Sequence, residues 1–98
     1  MSGLDDALRM LAERRDALAK TEALSTQRLA TVRGMLEANR QTYEALALAL
    51  GLSDGVRRVV AADAVLLAAA EADFDANVKV REAIDAVMAE LRTLADRD

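Results

Sequence analysis

"ALALALGLSDGVRR" occupies residues 45–58, almost the midpoint of a chain of 98 residues. An apolar run meets Gly51, and Gly55 and two arginines follow. Gly51 stands directly after the last apolar residue, where it suits the left-handed conformation that closes a helix. Leu52 would then fold back onto the last turn. Ser53 or Asp54 next offers a side-chain oxygen to cap a second helix. Stop, cap and restart lie within about five residues, a connection short enough to join antiparallel neighbours. The turn is therefore assigned to Gly51, Ser53, Asp54 and Gly55.

Both flanks of this turn read as helix. Alanine supplies 22 residues, proline is absent, and there is one Phe and one Tyr. Alanine is the best helix former because it loses no side-chain entropy, and Leu, Arg, Glu and Met add to the same preference. Before the turn, spacings of four and three starting at Leu4 pick out Leu8, Leu11, Arg15, Leu18, Glu22, Ser25, Leu29, Val32, Leu36, Asn39, Tyr43, Leu46 and Leu50. That heptad pattern marks a helix covered along one stripe by another helix. Ser2 is a candidate N-cap for it, with Asp5 and Asp6 favourable near the positive end.

After the turn the pattern is broader. Val56, Val60, Leu67, Phe74, Ile84, Met88 and Leu91 follow one line, and Val59, Leu66, Val80, Val87 and Leu94 a neighbouring one. A stripe that wide touches more than one helix. The segment "VVAADAVLLAAA" (59–70) is apolar nearly all round, which implies burial on several sides. It is too short to span a membrane and holds Asp63.

The expected fold is all-α, in one helical domain over 1–98. It is a long antiparallel helical hairpin, with a helix over about 3–50, a turn at 51–54 and a helix over about 55–96. Two hairpins would pair into a dimeric four-helix bundle, because a core made largely of alanine is marginal for so short a chain. The alternative is a three-helix bundle with a break near 20–28, where Thr21, Ser25 and Thr26 cluster. A turn centred between Leu52 and Ser53 sets Arg14 and Arg15 level with Glu90, and Asn39 level with Leu66. Expected seam and interaction positions are Leu11, Leu18, Leu29, Val32, Leu36, Tyr43 and Leu46 on the first helix. Leu67, Phe74, Ile84 and Leu91 are their counterparts on the second. Asn39 and Asn77 are candidates for setting register, since a core Asn lowers stability but discriminates between alignments. Arg15, Glu22 and Ser25 leave a polar gap in the seam, which either lies outside the packed region or faces another protein; a frayed or bent helix is the alternative.

Composition narrows the chemistry. With no cysteine and no histidine there is no thiolate nucleophile, no imidazole acid–base group and no zinc site of the usual kind. A di-metal carboxylate bundle needs Glu-x-x-His pairs and is ruled out on the same ground. Asp73, Asp75 and Asn77 match the opening of a calcium loop, but Val78 replaces the required glycine and Ile84 the bidentate glutamate. Gly51 to Gly55 lacks the lysine and the strand-to-helix setting of a phosphate loop. An anion at the second helix's N-terminus beside Arg57 and Arg58 is a weaker possibility. Asp63 lies within an apolar stretch, but no second catalytic group accompanies it. The net charge of −4 and dispersed basic residues argue against nucleic acid. Asp5 and Asp6 stand where a signal peptide carries basic residues, so a cytoplasmic location is expected.

The functional expectation is a non-enzymatic helical interaction protein without cofactors or metals. It would associate with itself, as a homodimer, and bind another protein's amphipathic helix, with no membrane insertion. The alternative is a small secretion- or assembly-type chaperone that shields a helical client subunit.

Overall fold

The computed structural model describes residues 2–51 and 53–97; the Ser2 side chain and Leu52 lie outside the described residues, and with them the Ser2 cap and the Leu52 fold-back. Two long helices, α1 (Ser2–Leu50) and α2 (Ser53–Arg97), pack against each other as a helical hairpin. α1 runs without interruption through residues 20–28, so the three-helix arrangement does not form. Within that stretch Ser25 is buried and bonded to α2, and Thr21 and Thr26 lie exposed on continuous helix.

The connection is tighter than the sequence implied. Gly51 alone of the described residues stands outside helix, and Ser53, Asp54 and Gly55 already belong to the first turn of α2. Gly51 has φ of 68°, and its N–H donates to the Ala47 carbonyl at 2.9 Å. That single bond from the residue past the helix end satisfies a carbonyl that would otherwise lack a partner. Asp54 places a carboxylate in the first turn of α2, where the helix dipole favours it.

The chain forms two compact units, each containing part of both helices. The turn unit is Ser25–Phe74, and the terminal unit joins residues 1–24 with 75–98. In the turn unit Leu29, Val32 and Ala70 are buried, and Leu36, Leu67 and Phe74 pack against them. In the terminal unit Ile84 and Met88 are buried, with Leu4, Leu8, Leu11, Leu18 and Leu91 half-buried on the same stripes. Among the described residues no large side chain is wholly enclosed. At roughly 25 cal/mol per Å² of apolar surface, half-covered leucines and alanines contribute modestly.

Candidate interaction surface

Three kinds of position build the surface: the covered seam, the polar pairs that cross it, and the apolar face left open.

The seam follows the four-and-three spacing over most of α1. Leu11 and Leu18 are half-buried in the terminal unit; Leu29 and Val32 are buried and Leu36, Asn39 and Tyr43 half-buried in the turn unit. Leu46 departs from it. It is 42% exposed, and Ala47 is covered instead. A straight helix has 3.6 residues per turn, so a strict seven-residue pattern drifts and the covered stripe passes to the next residue. On α2, Leu67, Phe74, Ile84 and Leu91 are on the covered side, and Asn77 is buried. Val60 on the same line is exposed.

The polar residues of the α1 seam are inside the packed region. In the terminal unit the Arg15 guanidinium holds the Asp85 carboxylate with both arms: Nε donates to Oδ1, and Nη2 to Oδ2 at 3.3 Å. Glu22 Oε1 lies 2.6 Å from Arg81 Nη1. In the turn unit the Ser25 hydroxyl donates to Asp73 Oδ2 at 2.7 Å, and Arg33 approaches Glu71 at 3.7 Å. The polar gap is therefore met by matching groups on α2, and α1 does not fray there. In the terminal unit Arg15 meets Asp85, not Glu90, so the pairing there is offset by about one turn from the expected register. Asp85 and Arg81 are the residues that sequence reading missed, and Asp73 was weighed there only against a calcium loop. Their signal was a polar interruption in α2 facing the one in α1.

Asp85 holds the Arg15 pKa above the ordinary arginine value through its hydrogen bond and its charge. A raised cation pKa stabilises the fold at every pH below that ordinary value. The arginine side of the pair is thus constant across the physiological range.

Alternating charge makes these pairs selective. Sliding α2 one turn in one direction brings Arg81 toward Arg15; sliding it the other way brings Asp85 toward Glu22. Either slip puts like charges together, at a cost comparable to the pairs themselves.

α2 also carries the face left open. Val59 and Leu66 in the turn unit, and Val80, Val87 and Leu94 in the terminal unit, are all exposed. They recur at multiples of seven residues, about a quarter-turn from the covered stripe. Within 59–70 only Asp63, Leu67 and Ala70 are covered, so one chain does not supply the all-round burial that the composition implied. Val65 is 71% exposed and Leu48, near the end of α1, 90%. Two open grooves lie between the helices. One in the turn unit, of about 350 Å³, has Leu36, Tyr43, Val60 and Leu67 between Arg33, Arg40, Glu37 and Asp63. One in the terminal unit, of about 400 Å³, has Leu11, Val80, Ile84 and Val87 beside Arg14 and Lys79.

Asp73, Asp75 and Asn77 sit on uninterrupted helix, where alternate residues point to different faces and do not converge on one ion. No helix among the described residues is long and apolar enough to cross a membrane. Comparison with known protein families, with curated proteins and with solved structures returns no match.

Proposed function

We propose that this is a non-enzymatic interaction protein of the cytoplasm, which associates with itself and accepts an amphipathic helix from a partner protein. The observation that carries the reading is the second apolar line of α2, open along Val59, Leu66, Val80, Val87 and Leu94. A helix with apolar residues at multiples of seven, broken once at Asp73, on a face that its own chain leaves bare suits packing against one more helix.

Self-association makes thermal stability depend on concentration, because only the folded chain offers the face. Circular dichroism melts over a hundredfold range of protein concentration, with sedimentation at the same concentrations, test this. The expected result is a rising midpoint and a mass above that of one chain. A constant midpoint with a monomer mass throughout overturns self-association.

The grooves favour a second reading, a chaperone that shields a helical client. Each has an apolar floor and charged rims, the chemistry that receives the apolar face of a helix. A chaperone gains stability on mixing with its client, whereas a scaffold gains it on concentration alone.

A further inference from the structure

We infer that segment 59–70 of α2 pairs antiparallel with the same segment of a second copy of this chain, about a two-fold axis level with Ala64. The inference rests on the self-association reading above and assigns it a face and a direction.

Four residues of the turn unit form the core of the contact: Val59, Ala62, Leu66 and Ala69. All four are exposed, and they follow spacings of three and four along one side of α2. Large and small side chains alternate along that line. An antiparallel copy with its axis at Ala64 sets Val59 opposite Ala69 of the second copy, and Leu66 opposite its Ala62. Each large side chain then meets a methyl group, and the helices approach closely without collision. A parallel copy in register sets Leu66 on Leu66 and Ala62 on Ala62, which leaves one layer crowded and the next empty.

Charge selects the same direction. Arg58 lies at one end of the line and Asp73 at the other, and both are exposed. In the antiparallel pair Arg58 comes within one helical turn of Asp73 of the second copy, at both ends of the contact. In the parallel pair arginine faces arginine and aspartate faces aspartate. Asp73 keeps its bond from Ser25, because a carboxylate offers about four acceptor sites. A two-fold contact must be complementary to itself, and this line meets that condition in both size and charge.

The chain has no cysteine, so cross-linking reports on introduced thiols alone. Ala62→Cys and Leu66→Cys variants are oxidised separately and as a mixture. Both positions are exposed in the single chain, so helix content should be unchanged. The expected result is that mixed dimers form about tenfold faster than Leu66→Cys dimers, because a disulfide requires Cα atoms within about 7 Å. Faster cross-linking of Leu66→Cys with itself means parallel pairing and overturns the inference. Slow cross-linking in every combination, while the wild-type chain sediments as a dimer, also overturns it but leaves self-association standing. A second variant checks the face. Leu66→Glu should sediment as a helical monomer, whereas Val80→Glu, similarly exposed but outside the segment, should keep the dimer mass. An unchanged mass for Leu66→Glu overturns the inference.

Discussion

Gly51 and Gly34 show how one residue type acts in opposite ways. Gly51 holds φ of 68° in open space, so an added Cβ meets no neighbour and the cost of replacing it lies in the backbone alone. Gly51→Ala should lower stability by about 1 kcal/mol, because an L-residue in the left-handed region is strained. Gly34 lies inside α1, also with open space where a Cβ would stand. Gly34→Ala should raise stability by about 0.5–1 kcal/mol through helix propensity and a less free unfolded chain. Denaturant midpoints measured at equal concentration check both, and the pair should move in opposite directions. Gly51 could be read from sequence because an apolar run stops at it. The start of α2 could not, because Ser53, Asp54 and Gly55 are chemically as suited to a turn as to a first helical turn.

Along the helices, the covered stripe of α1 was legible from spacing alone up to Tyr43, since one packed face imposes one period. The register was not. It depends on where the turn begins to within a residue and on which side chains pair, and Arg15 has several acidic residues within a turn of its level on α2. The Glu22–Arg81 pair shows what such contacts contribute. Glu22 is 14% exposed at its side chain, so Arg81→Ala removes the cation 2.6 Å from a sheltered carboxylate and should cost about 1 kcal/mol in thermal or chemical unfolding. Replacing both residues by leucine should recover that loss or exceed it, because apolar packing often matches a shielded ion pair. The double variant should also lose alignment, with broader near-uniform amide resonances and mixed oligomers. A single sharp species from the doubly substituted chain would show that register is set elsewhere.

For the whole molecule, the open face of α2 is what the sequence announced without explaining. The stretch 59–70 predicted burial on several sides, and one chain covers only one side of it. Composition reports how much a segment needs covering, but it does not say whose surface covers it. Two of the polar contacts also differ in the length of chain they close. Ser25 and Asp73 are 48 positions apart, whereas Arg15 and Asp85 are 70 apart. The entropy of loop closure grows with length, so the shorter loops of the turn unit close first and bring the chain ends together for the rest. Folding should therefore proceed as a zipper from Gly51 outward. In stopped-flow refolding, Leu29→Ala should mainly slow folding and Met88→Ala mainly speed unfolding. The reverse pattern would place the nucleus at the chain ends. On the pairing inferred for 59–70, a chain that zips from its middle presents that segment early, before its two ends are ordered. Assembly then begins on half-formed hairpins, and the rate of reaching the native state itself rises with concentration.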